Sequence, residues 1–198
     1  IKFYSLKKKL GRTKALNFAL SKSSSNIIAI QDADDVSHKD RFAQCMDILT
    51  KNKNIGLVAT DFRIIDKNGN ILSQSDKYLK INKIKRLKFI NTIAHSSIIY
   101  QRNKLKNCVY NESYVYAQDY ELILRFLKYS KIKLLKNNLL KIRTHSENMS
   151  NDKIYSTIII KENLRLLNFS SNKLNLSTRE KNYILFMKIK NYFKLVFI

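Results

Sequence analysis

The chain has 198 residues, 44% of them hydrophobic, with 3 Gly, no Pro and 2 Cys, and its 38 basic against 15 acidic residues leave a formal net charge of +23. Ordinary usage would place roughly 14 Gly and 10 Pro in this length, so collagen-like, proline-rich and Gly/Ser-linker architectures are excluded, and two cysteines do not make a disulfide scaffold or a Cys-based zinc ribbon. The charge calls for polyanionic partners, whether nucleic acid, an anionic membrane surface or phosphate-bearing small molecules; it does not choose among them, because the lysines are spread along the whole chain.

Lys2 to Leu6 alternates as a short strand does, and Ala15, Leu16, Ala19 and Leu20 share one face of a helix that follows Gly11. The apolar run from Asn26 to Ile30 predicts a strand covered on both faces in a parallel sheet, and it stops at the acidic run Asp32 to Asp35. Ser37 with Asp40 three residues on predicts a capping box before a helix bearing Phe42, Cys45, Met46 and Leu49. A strand over 55–65 and the Asn68-Gly69 turn predict a hairpin into Ile71 and Leu72. A helix is expected over 81–89, a strand over 93–100 and a helix over 118–129, followed by short apolar segments at 132–135 and 139–142. Such alternation argues for an α/β domain. Beyond Ser150 the pattern becomes helical, over 154–169 and 183–198, with a second capping box at Ser177 and Glu180. The last helix interleaves lysines with aromatic residues and reads either as a membrane-surface helix or as a terminal helix docked on the core. No apolar run approaches the roughly 18 residues of a membrane span.

The acidic run is a candidate site. Asp32 and Asp34 lie two residues apart, so on an extended segment their side chains leave one face, at the carboxyl end of a strand where open α/β sheets bind ligands. Neighbouring carboxylates repel unless a cation sits between them, and oxygen donors suit Mg²⁺ or Mn²⁺, ions that also hold substrate phosphates. The competing reading is a polar turn in which Asp35 or Ser37 caps the next helix.

Five segments occur in order: Gly11 with Asn17 six residues on, the Asp32 to Asp35 run with Arg41 behind it, Ala94-His95-Ser96-Ser97, Ala117-Gln118-Asp119-Tyr120-Glu121-Leu122, and Ile142-Arg143-Thr144-His145. Together they resemble the family-two glycosyltransferases over roughly residues 5–150. The resemblance implies a GT-A type, Rossmann-like mixed α/β sheet flanked by helices, a nucleotide-diphospho-sugar donor held with Mn²⁺ or Mg²⁺, and hexosyl transfer with inversion. It also implies that the chain starts partway into the domain, so that donor binding by this piece alone would be weak. A partial GT-A domain over 1–150 and a helical C-terminal extension over 151–198 follow.

Carried onto this sequence, the resemblance sets Asp32 against the ribose or sugar, makes Asp34 the principal metal ligand and Asp35 a third carboxylate, and brings His145 toward the metal or diphosphate. Arg12, Lys14 and Asn17 face the nucleotide, and His95 reaches a substrate hydroxyl or phosphate. Asp119 matches the catalytic base, which the chemistry needs because an acceptor hydroxyl must lose its proton as it attacks; the competing reading is a carboxylate that satisfies a helix N-terminus. Gln118 stands where many relatives carry Glu, and His38-Lys39-Asp40 replaces the proline usual before Arg41. The expected acceptor is a glycan or lipid-linked intermediate of a cell-surface polysaccharide, lipopolysaccharide or capsule, met in the cytoplasm at the inner face of the plasma membrane, with peripheral membrane contact through the last helix. An inactive truncated remnant shares every fold expectation. A basic nucleic-acid-binding protein is the reading the acidic run disfavours, so nucleic acid is not expected as a partner.

Overall fold

The computed structural model describes residues 2–74, 83–144 and 153–196. Among them six strands, β1 (Ile27–Ala29), β2 (Val36–Ser37), β3 (Ile55–Ile65), β4 (Ile71–Gln74), β5 (Ile99–Gln101) and β6 (Lys131–Arg143), form one mixed sheet. Its order is β1-β5-β3-β6-β2, with β4 hydrogen-bonded to β3. Six helices accompany it: α1 (Arg12–Lys22), α2 (Arg41–Lys51), α3 (Lys83–Arg86), α4 (Gln118–Tyr129), α5 (Lys153–Lys173) and α6 (Thr178–Val196).

The centre of the sheet is β3, and the strand period of two sends its side chains alternately to two helical layers. Leu57 and Ala59 point into a core with Leu20 of α1 and Leu122, Ile123 and Phe126 of α4. Val58 points the other way, onto Cys45 and Leu49 of α2. The neighbouring strand obeys the same alternation, with Ile98 and Tyr100 on the α4 side and Ile99 on the α2 side. A three-layer helix/sheet/helix sandwich results, in which both cysteines are free and buried. Beyond the sheet, α5 lays Leu166 against Tyr120 and Leu124 of α4, and α6 folds back on α5 through Leu167, Leu176 and Ile184. The second capping box forms as its sequence predicts, with Glu180 N donating to Ser177 Oγ at 3.3 Å and Ser177 N to Glu180 Oε2 at 2.9 Å.

The strand over 55–65, the hairpin and the helix over 118–129 match their sequence patterns, and Gly69 supplies the positive φ of 92° that the hairpin turn requires. Other expectations are corrected. Lys2 to Leu6 is not a strand: it lies exposed and pairs with none of the described strands, and alternation without a ladder does not hold a strand. β1 is not flanked by parallel neighbours, since its ladder runs antiparallel to β5. The segment 93–100 forms a 3₁₀ turn over His95–Ser97 before β5, because Ser97 returns both its N–H and its hydroxyl to the Ala94 carbonyl, at 3.1 and 2.7 Å. The apolar segments at 132–135 and 139–142 are one strand; the register steps from Thr60↔Leu135 to Asp61↔Asn138, so Lys136 and Asn137 are the extra residues of a bulge. Of the helix expected over 81–89, residues 81 and 82 lie outside the described segments, and among the described ones Lys83–Arg86 is helical.

Candidate active site

The acidic run leaves β1 as a turn, and three arginines from different elements surround it. Arg41, the first residue of α2, is buried behind the turn and donates to the Ile30 carbonyl at 2.7 Å, to Gln31 Oε1 at 2.8 Å and to Ser37 Oγ at 2.7 Å. Gln31 passes this support on, because its Nε2 donates to the carbonyls of Asp32 and Asp35, both at 3.0 Å. The capping box expected at Ser37 and Asp40 is therefore absent: Ser37 sits in β2 with its hydroxyl committed to Gln31 and Arg41. Arg143, at the end of β6, donates its main-chain N–H to Asp35 Oδ1 at 3.1 Å and its Nε to the Asp34 carbonyl at 3.2 Å. Its Nη1 reaches the Asp66 and Lys67 carbonyls, both at 2.9 Å, which staples the acidic turn to the β3–β4 turn. Arg12, at the start of α1, pairs with Asp32 Oδ2 at 3.2 Å.

The three carboxylates differ in what remains to them. Asp34 is exposed. Asp32 is half-buried under Arg12. Asp35 turns inward, accepting from the Ser96 hydroxyl and from Arg143 N, and burial, opposed by those two hydrogen bonds and aided by the charges of Asp32 and Asp34, raises its pKa. Among the described residues no three His, Cys, Asp or Glu side chains converge on a point where they would hold a metal by themselves. The donor set at the turn is nevertheless the right kind for Mg²⁺ or Mn²⁺, which take one or two carboxylates and complete their coordination with substrate phosphates. His145 lies outside the described residues.

The His95–Ser97 turn joins this region to the second half of the site. His95 is 7% exposed, its Nδ1 lies 3.3 Å from Arg12 Nη2, and its Nε2 lies 2.8 Å from the Tyr110 hydroxyl. A guanidinium can only donate, so Nδ1 is the acceptor and Nε2 carries the proton toward Tyr110. Burial pushes the His95 pKa down to about 4, the Arg12 charge adds to the drop and Asp119 opposes it, which places Asp119 within electrostatic reach of the imidazole. Asp119 itself is the second residue of α4, half-buried, and accepts from Asn91 Nδ2 at 3.1 Å. The structure thus joins Asp32, Arg12 and His95 by direct contacts, with Asp119 near enough for its charge to act on the imidazole. It does not bring Asn17 into it: that amide donates to the Tyr110 carbonyl at 2.9 Å and to Glu112 at 3.0 Å, and its oxygen accepts from Tyr110 N at 2.8 Å, so it fixes the loop that carries Tyr110. Lys14 stands exposed on α1.

Sequence reasoning missed the residue that positions Asp119. Glu162 of α5 is 1% exposed and accepts from three successive main-chain N–H groups ahead of α4: Val115 at 2.6 Å, Tyr116 at 3.1 Å and Ala117 at 2.8 Å. Arg165, one turn along α5, donates to the Ser113 carbonyl at 3.0 Å and stacks over the Tyr114 ring at 4.5 Å. Gln118, 2% exposed, supplies the complementary bonds: with its amide nitrogen turned toward the carbonyls of Val115 and Tyr116, the orientation that satisfies the network, it donates to them at 3.1 and 3.0 Å. The turn before α4 is braced from both sides.

The chain is similar to the O-antigen biosynthesis glycosyltransferase WbnJ of Escherichia coli, with 35% identity over 57% of this chain and 44% of that protein. It superposes on Staphylococcus aureus TarS in complex with UDP-GlcNAc with a TM-score of 0.66, at 18% identity, over 93% of this chain and 53% of TarS. On the mannosyltransferase PcManGT of Pyrobaculum calidifontis, in complex with GDP-Man and Mn²⁺, it superposes with a TM-score of 0.64, at 14% identity, over 96% of this chain and 52% of the other. The fold is therefore of the GT-A type. The chain spans about half the length of the curated relatives it matches. The sequence profile described as Glycosyl transferase family 2 matches residues 1–109, more than half of the chain and the part that holds the acidic turn and the His95 turn, and the chain belongs to that family.

Proposed function

We propose that this chain carries the donor-binding and base-bearing part of an inverting, hexosyl-type glycosyltransferase. Its donor is a nucleotide-diphospho-sugar, and its acceptor is a glycan or lipid-linked intermediate of a cell-surface polysaccharide such as lipopolysaccharide or capsule, met on the cytoplasmic side of the membrane. Residues 1–150 are the GT-A unit in this reading and 151–198 its helical extension. The observation that carries it is the chain of contacts from the carboxylate turn through Arg12 to His95, whose imidazole feels the charge of helix-borne Asp119. The O-antigen role of WbnJ supports the pathway class, and the nucleotide sugars bound to TarS and PcManGT support the donor class.

Asp34, with Asp32 beside it, would hold Mn²⁺ or Mg²⁺ at the diphosphate; when bound, the ion acts as a Lewis acid that stabilises the departing nucleoside diphosphate. The chain's own groups do the rest. Arg12 offers a cation to phosphate or ribose once Asp32 engages the donor. Asp119 takes the proton of the acceptor hydroxyl as that oxygen attacks the anomeric carbon from the face opposite the diphosphate. His95, neutral at physiological pH, orients Arg12 without adding a charge. One base and one displacement invert the anomeric centre, so no second carboxylate need reach the sugar.

Titration of uridine and guanosine diphosphates with Mn²⁺ tests this. Binding should require the metal and vanish in Asp34→Ala, whereas Asp119→Asn should bind as before and lose about 10²–10⁴-fold in transfer rate. Nucleotide binding indifferent to both metal and Asp34→Ala would overturn the assignment.

A further inference from the structure

α6 is apolar on two opposite faces, and the fold uses one of them. Ile184, 1% exposed, and half-buried Met187 pack onto Leu167 and Leu176, and Phe89 meets the Tyr183 ring edge-on at 4.9 Å. Away from that contact stand Leu185 at 58% exposure, Phe186 at 58%, Ile189 at 47%, Tyr192 at 57% and Phe193 at 61%. Their spacing of i, i+1, i+4, i+7 and i+8 gathers them into one stripe along the helix. Lysines border it on both sides: Lys181 lies four residues from Leu185, Lys188 three from Leu185 and four from Tyr192, and Lys190 four from Phe186 and three from Phe193. The single acidic residue of α6, Glu180, is committed at its first turn to Lys88 at 2.8 Å and to Ser177.

We propose that this stripe docks on an anionic lipid surface, with the aromatic and aliphatic side chains at the headgroup boundary and the lysines against lipid phosphates. The charge pattern selects this occupant. Two copies joined through the stripe would set lysine rows against lysine rows with no carboxylate to intervene, whereas an anionic bilayer supplies the missing counter-charge. Phe and Tyr at such a border suit a boundary that is apolar on one side and wet on the other. No helix among the described residues is long and apolar enough to cross a membrane, so the contact is one of a helix lying in the interface. The inference stands apart from the glycosyltransferase reading, since it uses none of the residues of that site.

A chain of net charge +23 adheres to anionic vesicles through charge alone, so the experiment must separate insertion from adhesion. Co-sedimentation with phosphatidylcholine vesicles, with and without phosphatidylglycerol, should show binding about tenfold weaker on the neutral vesicles. The double substitution Phe186→Ser with Phe193→Ser, at exposed positions that leave the fold intact by circular dichroism, should abolish the retention that survives high salt. Tyr192→Trp, in a chain with no other tryptophan, should shift its emission to the blue on vesicles. Equal retention of parent and double variant, with no spectral shift, overturns the proposal. So does a dimer in solution that the double substitution dissolves while vesicles capture neither form.

Discussion

In the proposed site the acidic turn and the start of α4 each present a carboxylate, and they are braced in opposite ways. Behind the acidic turn stands a buried cation: Arg41 donates to a carbonyl, an amide oxygen and a hydroxyl, and through Gln31 it fixes the main chain of Asp32 and Asp35. Behind the base turn stands a buried anion, Glu162, which accepts three main-chain N–H groups. Each brace carries the charge opposite to what its turn exposes. The acidic turn concentrates carboxylates and gains from a guanidinium, while the start of α4 offers unpaired N–H groups and the positive end of a helix dipole and gains from a carboxylate. The braces also differ in reach, since Arg41 lies ten residues from Gln31 but Glu162 lies 45 from Ala117.

Removing each brace breaks the comparison most sharply. Arg41→Ala and Glu162→Ala should each cost about 3–5 kcal/mol in chemical denaturation, because each removes a buried charge together with three hydrogen bonds, one buried and two part-buried. Their functional signatures should diverge. The milder Glu162→Gln keeps an acceptor at the base turn; its nucleotide-diphosphate affinity should stay near the parent's, while the transfer rate falls about 10–100-fold as Asp119 drifts from its position. Arg41→Lys keeps the charge but not the three-way donor fork, and it should weaken nucleotide affinity first. If Glu162→Gln weakened nucleotide binding as much as Arg41→Lys, the two regions would be one mechanical unit.

His95 lies between the two regions and reports on both by titration. Its folded pKa is held near 4 by burial first, with Arg12 lowering it further and Asp119 opposing, against an unfolded value of about 6.5. Between those values the unfolded chain binds a proton that the folded chain refuses. Stability is therefore complete above about pH 6.5 and falls as the pH drops toward 4, by about 3 kcal/mol in all. Unfolding curves across this window should show that slope, and His95→Gln should flatten it. A slope that persists in the variant would place the responsible group elsewhere.

How legible each region was follows from how local its determinants are. β3 is a long run rich in β-branched residues that ends at a turn signal and α4 carries one apolar helical stripe, so their bounds could be read from the sequence to the residue. The position of the acidic turn was readable because it follows a short apolar run, and it was the accompanying family-like segments, rather than the bare acidic run, that marked it as a site. Its brace was only half visible: Arg41 stands out by family likeness, but that Ser37 would serve it rather than cap α2 depends on β2 pairing with β6 across the sheet. The His95 turn reads as a strand because Ile93 and Ile98–Tyr100 flank it, and a single serine hydroxyl decides otherwise. Glu162 left one signal unused. Ile159, Leu166 and Phe169 form the stripe of α5 that packs toward α4, and Glu162 interrupts that stripe three residues after Ile159 and four before Leu166. A lone carboxylate on an apolar stripe must be met by donors, and here they are the backbone amides of the base turn.

Gln118 gives the finest test, because it shares a turn with Glu162. Its amide donates to two carbonyls, which an ionised carboxylate cannot do. In Gln118→Glu the new side chain must keep its proton to hold even one of those bonds, so its folded pKa rises above the unfolded value of about 4.3. The variant should then come nearest to the parent below that pH, one bond short, and lose about 2 kcal/mol more as the pH rises from there to its raised folded value. This is the reverse of the His95 slope. Glu162 should be part of the cause, since its carboxylate brackets the same turn; adding Glu162→Gln to Gln118→Glu should therefore cost less than the two single losses combined. Strict additivity would mean that the carboxylate and the amide brace the turn independently, and that the identity of residue 118 follows from the two carbonyls alone.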